Sequence, residues 1–228
     1  MSDTVLLAAI LIPCLVIAIV FHEVAHGWTA LMLGDPTAQE QRRLSLNPIR
    51  HVDPVGTLLV PGGLALAGMP VFGWAKPVPV NKYRLNNPRS GMMAVAAAGP
   101  GTNFVLAAIG AVALGLVGLP GGVTDMASLG VVPTALIYFI SINIFLALFN
   151  LLPIPPFDGS HVVEGLLPPA AARVYEKVRP LGFPLLFVLL VAVPYLFPGA
   201  GIVENLVLPP VEWAMDKYFA LADWIAGG

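Results

Sequence analysis

The segment Ile19-Val20-Phe21-His22-Glu23-Val24-Ala25-His26-Gly27 places a His-Glu-x-x-His motif inside a long apolar run. On an α-helix, residues four positions apart lie on one face, so His22 and His26 can present two imidazoles to a single metal ion. Glu23 projects about 100° round the helix from His22, where a general base would stand beside the metal. Ionisable side chains within a bilayer-length apolar segment are costly and usually functional. The structural alternative is a pair of hydrogen-bonded core histidines with a Glu partner.

The composition indicates a membrane protein. Of the 228 residues, 57% are hydrophobic and only 11% are charged, and the mean hydropathy is +0.85. Soluble chains carry roughly 25% charged residues, so most of this surface is expected to face lipid. A net charge of −2 without a basic tract gives no indication of nucleic-acid binding. The single cysteine, Cys14, excludes an internal disulfide framework.

Long apolar segments predict an all-α polytopic membrane protein, with 1–228 forming one membrane-embedded domain. The first segment, from Val5 to Leu33, contains no Lys or Arg. It would be about 43 Å long as a helix, and without a positive n-region it is interpreted as a retained span rather than a signal peptide. Further spans are predicted at 91–118, 131–152 and 181–198. The tail from Pro209 to Gly228 alternates tryptophan with charged residues, which favours a helix lying at the membrane interface.

The distribution of basic residues predicts the topology. Ten of the eleven Lys and Arg residues lie in three clusters, at 42–50, 76–89 and 173–179. Segment 55–72 is apolar but short, and Pro61-Gly62-Gly63 breaks its middle, so it either spans or re-enters the membrane. Re-entry places all three clusters on one side, as the positive-inside rule requires. We therefore expect an external N-terminus, a plasma-membrane location, and an active site toward the cytoplasmic side, which carries 34–54, 73–90 and 153–180.

A second chemical cluster lies in 150–159, Asn-Leu-Leu-Pro-Ile-Pro-Pro-Phe-Asp-Gly. Its prolines end a helix, and irregular backbone at membrane depth must line protein or a watery cavity. Catalytic zinc commonly has three protein ligands and a water, with two His and one carboxylate as a usual set. Asp158 is therefore the candidate third ligand, Glu164 and His161 are the next candidates, and a helix cap is the alternative role for Asp158.

Three asparagines lie in apolar surroundings. Asn150 and Asn103 can hydrogen-bond a substrate backbone or a developing oxyanion. For Asn103, interhelical hydrogen bonding that holds the bundle together is an equal alternative. Asn143 is seven residues before Asn150, on the same helix face, and fits either role.

Three motifs together resemble the signatures of the site-2 protease family of intramembrane zinc metalloproteases. They are Phe21-His22-Glu23-Val24-Ala25-His26-Gly27, Gly99-Pro100-Gly101-Thr102-Asn103, and Asn150-x-x-Pro153-x-Pro155-x-x-Asp158-Gly159. The resemblance covers roughly residues 10–165. It implies that His22, His26 and Asp158 bind one zinc, that Glu23 is the general base, and that three motif-bearing helices form the catalytic bundle. No insertion is large enough for a PDZ domain, and we expect neither a preceding helix nor a C-terminal nucleotide-sensing domain.

The resemblance predicts a zinc-dependent endopeptidase that cleaves membrane proteins within or near their transmembrane segments. The expected partners are a transmembrane substrate and the lipid bilayer, with no nucleic acid. Two alternatives are a catalytically silent metal-binding scaffold and a metal or proton transporter. Glu23 argues against the scaffold, because a structural metal site needs no base. The transporter lacks support, since no chain of ionisable groups crosses the predicted helices.

The stretch 73–81, Gly-Trp-Ala-Lys-Pro-Val-Pro-Val-Asn, is predicted to be extended because Pro77 and Pro79 at alternate positions disfavour a helix. Such an edge could pair with an unwound substrate by strand addition, using the amides of Ala75, Lys76, Val78 and Val80. The alternative is an interfacial loop anchored by Trp74.

Overall fold

The chain forms a helical bundle. The computed structural model describes residues 3–66, 74–118, 129–177, 179–188, 193–197 and 203–227. Its α-helices are α1 (Asp3–Met32), α2 (Thr37–Glu40), α3 (Val60–Leu66), α4 (Pro88–Val117), α5 (Val131–Asn150), α6 (Asp158–Leu166), α7 (Pro169–Glu176), α8 (Gly182–Phe187), α9 (Val193–Leu196) and α10 (Leu208–Ile225). Short 3-10 turns occupy Pro48–His51 and Arg179–Leu181, and π-helical turns occupy Pro54–Leu59 and Val203–Val207. Because the described residues contain no β-strand, the prediction of an all-α fold is confirmed.

Three helices are long and apolar enough to cross a membrane. They are Val5–Met32 within α1, with 28 residues, α4 with 30 residues, and α5 with 20 residues. At 1.5 Å per residue, even the shortest would be about 30 Å long, the thickness of a bilayer's hydrocarbon core. The chain is therefore an integral membrane protein, and these three helices coincide closely with the spans predicted at 5–33, 91–118 and 131–152.

Helix α4 is the centre of the bundle, in contact with α1, α5, α6 and α10. Its buried face consists largely of small residues, which include Gly99, Ala107, Gly110 and Ala111. In lipid, where no hydrophobic effect drives helices together, small residues allow the close backbone approach on which packing depends. This helix can therefore bring polar side chains of several neighbours close to one another.

The end of α1 lies beside the beginning of α4. The Asn86 amide donates to the Leu33 carbonyl at 2.8 Å, and Asn87 caps α4 by accepting from the amides of Arg89 and Ser90, each at 3.2 Å. A chain that leaves α1 and returns to the same end of the bundle makes no net crossing between residues 34 and 86. This arrangement agrees with the prediction that the first two basic clusters lie on the same side of the membrane.

Segment 55–72, predicted to re-enter, begins in the π-helical turn and continues into α3, while residues 67–73 lie outside the described part of the chain. Its two flanks meet, because the Trp74 amide donates to the Gly56 carbonyl at 3.0 Å. The Lys76 amide likewise donates to the His51 carbonyl at 2.9 Å. A segment whose ends are hydrogen-bonded to each other cannot cross a bilayer once, as a single span would.

The C-terminal part contains α8, α9 and α10. The predicted span 181–198 contains α8 and α9, but 189–192 and 198 lie outside the described residues, as do 119–128 in the predicted external loop. Helix α10 packs against α4 and α5, burying Val211, Ala214 and Ala222. The Tyr218 hydroxyl also donates to the Phe104 carbonyl at 3.2 Å. The predicted interfacial helix thus has a face against the bundle, and its depth in the membrane stays a prediction.

Candidate metal centre

Three side chains predicted to bind a metal come together in the structure. His22 and His26 project from one face of α1, and Asp158 is the first residue of α6. The His22 Nε2 and His26 Nε2 atoms are 3.0 Å apart, and Asp158 Oδ2 lies 3.1 Å from the first and 3.3 Å from the second. The two histidines are buried and Asp158 is partly buried. This is the only group of three potential metal ligands found in the described residues.

The turn between α5 and α6 carries Asp158 to the histidines. Gly159 packs against the carbonyl oxygens of Leu151 and Leu152, which leave no room for a Cβ atom. This close approach lets the chain fold back at the end of α5 and start α6 beside α1. The N-cap position of α6 belongs to Phe157, which makes no side-chain capping hydrogen bond, and Asp158 is the residue after it. Its carboxylate faces the histidines instead, so the alternative role as a helix cap is not adopted.

The second nitrogen of each imidazole has its own acceptor. His22 Nδ1 lies 2.6 Å from Asn103 Oδ1, and His26 Nδ1 lies 2.7 Å from the carbonyl oxygen of Val95. Since both partners only accept hydrogen bonds, each neutral imidazole carries its proton on Nδ1. The lone pair of each Nε2 is then directed at the other ligand atoms. Partners of this kind commonly fix the tautomer and the orientation of metal-binding histidines.

This arrangement fits zinc. Two nitrogen lone pairs and a carboxylate oxygen within 3.0–3.3 Å of one another repel unless a cation or a shared proton lies among them. Ligand atoms that share a tetrahedral zinc at 2.0–2.1 Å would lie about 3.3 Å apart, close to the distances observed. The backbone beside these atoms belongs to Gly99, where a Cβ atom would lie 2.5 Å from His26 Nε2 and 2.6 Å from His22 Nε2. Glycine at this position therefore keeps the ligand atoms accessible.

Asn103 lies in the core rather than on a surface that a substrate could reach. It is fully buried, and its Nδ2 donates to the Ala18 carbonyl at 3.2 Å and to Asn143 Oδ1 at 2.8 Å. Asn143, also fully buried, donates to the Phe139 carbonyl of its own helix at 2.8 Å. Because every hydrogen-bonding group of the Asn103 amide has a partner within the bundle, its contacts correspond to the interhelical alternative.

Asn150, the other predicted catalytic amide, contributes no atom to the three-residue group. It lies at the last position of α5, partly buried, and its Nδ2 donates to the Leu146 carbonyl at 2.9 Å. A role for Asn150 toward a substrate stays a prediction.

The predicted base, Glu23, contacts the extended segment 74–81. Its Oε2 accepts a hydrogen bond from the Val78 amide at 2.8 Å. Two of the four amides expected to pair with a substrate are thus engaged within the protein, those of Lys76 and Val78. The structure therefore corrects the expectation that all four remain available for strand addition. The physical reason is that the segment lies against α1 and the loop around His51.

The other candidate ligands are occupied elsewhere. Glu164 forms an ion pair with Arg179. His161 lines a separate cleft of about 360 Å³ that also contains Lys82 and Arg89. Burial, together with the positive charge of Arg179, lowers the pKa of His161 to about 4.

Sequence reasoning missed two residues that shape this region. Arg43 and His51 lie in the connection between α2 and α3, and both are buried. The Arg43 guanidinium donates to the backbone carbonyls of residues 76 and 77. Polar and apolar residues alternate at 43–47, which favours an extended piece but gives no indication of what Arg43 contacts.

Comparisons with known proteins agree with the geometry. Residues 115–193 match the model of peptidase family M50. The chain is 41% identical, over 185 residues, to "Putative zinc metalloprotease YwhC" of Bacillus subtilis, covering 79% of this chain and 80% of that protein. It is also 28% identical over 176 residues to a protein of the same description, Rip2 of Mycolicibacterium smegmatis, covering 75% of this chain but only 62% of Rip2. No solved structure was found that matches the chain.

Proposed function

Since the chain belongs to peptidase family M50 and is a zinc metalloprotease of the site-2 type, we propose that it cleaves other membrane proteins within or near their transmembrane segments. The observation that carries this proposal is the depth of the metal ligands. His22 lies ten residues before Met32, where the membrane-spanning part of α1 ends. This separation is about 15 Å along the helix axis. A peptide bond that reaches these ligands must itself enter the membrane.

The proposed ligands are His22, His26 and Asp158, binding one zinc ion per chain. When bound, zinc supplies a Lewis acid that polarises a carbonyl and lowers the pKa of water toward ~7. Glu23 accepts a proton from the attacking water and delivers it to the leaving amine nitrogen. Asn150, at the end of α5, is proposed to hydrogen-bond the substrate backbone or the oxyanion.

For Asn103 we propose a positioning role. Its Oδ1 accepts the Nδ1 proton of His22, while Asn143 and the Ala18 carbonyl accept its two amide hydrogens and hold it in that orientation. The hydrogen bonds that link Asn143, Asn103 and His22 then keep the metal-binding nitrogen of His22 deprotonated and directed at the metal site. A buried amide whose groups are all engaged has no hydrogen left to donate to a substrate.

The distribution of basic residues indicates which side of the membrane the active site faces. All three basic clusters face the cytoplasm, so the active site opens toward the cytoplasmic side of the plasma membrane. Residues 1–228 act as one membrane-embedded unit, with a catalytic core at about 5–165 and a C-terminal part at 181–228. Substrates are single-span helices with Gly, Pro or Asn near the cut, because these residues unwind easily.

The proposal is tested with purified protein in liposomes and a synthetic single-span peptide that carries Asn-Gly at its centre. We expect mass spectrometry to find cleavage within the apolar segment, inhibition by 1,10-phenanthroline, and recovery after zinc is added back. Glu23→Gln is expected to keep zinc and lose cleavage, whereas His22→Ala, His26→Ala and Asp158→Ala lose zinc. Cleavage only in the soluble flanks would refute intramembrane action. Full zinc content in Asp158→Ala would remove Asp158 from the ligand set.

A further inference from the structure

The carboxylate of Glu23 is held by the backbone of another part of the chain. Its Oε2 accepts from the Val78 amide at 2.8 Å. A glutamate side chain has three rotatable bonds, so a fixed donor restricts where its carboxylate can lie. A general base must stay within hydrogen-bond reach of the proton that it abstracts. The position of the Val78 amide therefore matters for the proposed chemistry.

The position of Val78 depends in turn on its neighbours. Pro77 and Pro79 flank it, and proline fixes its own φ and carries no N–H. The Val78 side chain is buried, and a Cβ atom on Gly27 would lie 2.8 Å from Val78 Cγ1, so this segment packs closely on α1. The Lys76 amide donates to the His51 carbonyl at 2.9 Å. The segment is thus constrained on both sides of the hydrogen bond to Glu23.

Arg43 supplies the remaining restraint. Its Nη2 donates to the Lys76 carbonyl at 2.7 Å and to the Pro77 carbonyl at 3.3 Å. Arg43 is only 8% exposed, and in the described part of the chain no carboxylate lies within ion-pair distance of its guanidinium. Its Nε atom is also buried without a hydrogen-bond partner. Burying a cation without a carboxylate partner is costly. The burial of Arg43 therefore indicates a role other than solubility at the surface.

We propose that Arg43 is a positioning residue for Glu23, acting through the backbone of 76–78. This inference rests on the proposed role of Glu23 as the base. Arg43 clamps the two carbonyls that precede the Val78 amide, and that amide in turn holds the Glu23 carboxylate. Arg43 itself touches neither the metal ligands nor the reacting atoms. Its loss should lower the rate of the chemical step without weakening zinc binding.

The first test compares Arg43→Gln with Arg42→Gln, a matched control. Arg42 is the adjacent residue, with an exposed side chain, so the same charge is removed without touching 76–78. With the synthetic single-span peptide, Arg43→Gln is expected to lower kcat by 10- to 100-fold, with KM within threefold of wild type and full zinc content. Arg42→Gln should keep wild-type kinetics. Arg43→Lys, which retains a cation that can donate to both carbonyls, should recover most of the kcat.

The second test measures hydrogen–deuterium exchange at the Val78 amide, which fragmentation isolates because Pro77 and Pro79 have no amide hydrogen. We expect slow exchange in wild type and in Glu23→Gln, which keeps an acceptor, and at least tenfold faster exchange in Glu23→Ala and Arg43→Gln. The same Val78 exchange rate in wild type and Glu23→Ala would overturn the inference even if Arg43→Gln fails to fold. So would a wild-type kcat, or loss of zinc, in Arg43→Gln. Activity in Glu23→Gln would instead refute the proposed base.

Discussion

Adding one methyl group at Gly99 should strongly weaken zinc binding while leaving the helix intact. The Cβ atom of Gly99→Ala would lie 2.5 Å from His26 Nε2 and 2.6 Å from His22 Nε2. Ordinary contacts between such atoms are about 3.5 Å, so the imidazoles must retreat by about 1 Å. Zinc sites tolerate about 0.2 Å in ligand distance. Altering a residue that only hydrogen-bonds a metal ligand lowers metal affinity about 10- to 100-fold. Displacing both imidazoles should therefore lower zinc affinity by more than ~100-fold.

Gly101→Ala is the matched control, because it lies two residues further along α4 and a Cβ atom there would meet nothing within 4 Å. Alanine is a better helix former than glycine by about 1 kcal/mol, so neither substitution should destabilise α4 through its propensity. Competition with a chromophoric chelator measures zinc affinity, and circular dichroism checks the helical content. Wild-type zinc affinity in Gly99→Ala would refute the described packing of α4 against His22 and His26.

Three further predictions concern the metal, its support and the loop after α1. Removing zinc should lower the thermal midpoint, since a ligand at 100 times its Kd stabilises by about 2.7 kcal/mol, and thermal melts with and without chelator measure the shift. Asn143→Ala should lower zinc affinity about 10- to 100-fold, because Asn103 loses an acceptor that orients it toward His22; chelator competition tests this. Burial raises the pKa of Asp35, but hydrogen bonds from Thr37 and Asn81 outweigh it and hold that pKa below its usual value. The contribution of Asp35 to stability should therefore be present above pH ~4 and be lost as the pH falls further, and Asp35→Asn should flatten this dependence in denaturation measurements.

The parts of the structure that sequence reasoning found are those with local signals. The spans follow from uninterrupted apolar runs, and the pairing of His22 with His26 follows from helical spacing alone. Asp158 is 132 positions beyond His26, so spacing could not bring it to the metal. Asp158 is predicted as a ligand because prolines and Gly159 mark a turn at membrane depth, and because its motif resembles that of a known family. These signals sufficed for the three proposed ligands.

The supporting residues could not be found in the same way, since their partners are set by tertiary packing. Val95 contributes only a backbone carbonyl, which any residue would supply, so its side chain gives no sequence signal for this contact. Asn103 could be recognised as a polar group in an apolar helix, but its partners lie on two other helices. In the sequence, Arg43 resembles any loop cation. Its burial is explained only by the backbone of 76–78, whose carbonyls accept hydrogen bonds from its guanidinium.

The segment 74–81 shows how a correct local prediction can leave the mechanism open. Pro77 and Pro79 do prevent a helix, but the same prolines leave few amides, and those of Lys76 and Val78 bond within the protein. A substrate that adds as a strand would have to compete with the His51 carbonyl and with Glu23 for these donors. Deleting 78–80 would abolish cleavage under either role, so that experiment cannot separate them. A lost strand partner should raise KM, whereas a displaced base should lower kcat, and Arg43→Gln therefore decides between substrate binding and positioning of the base.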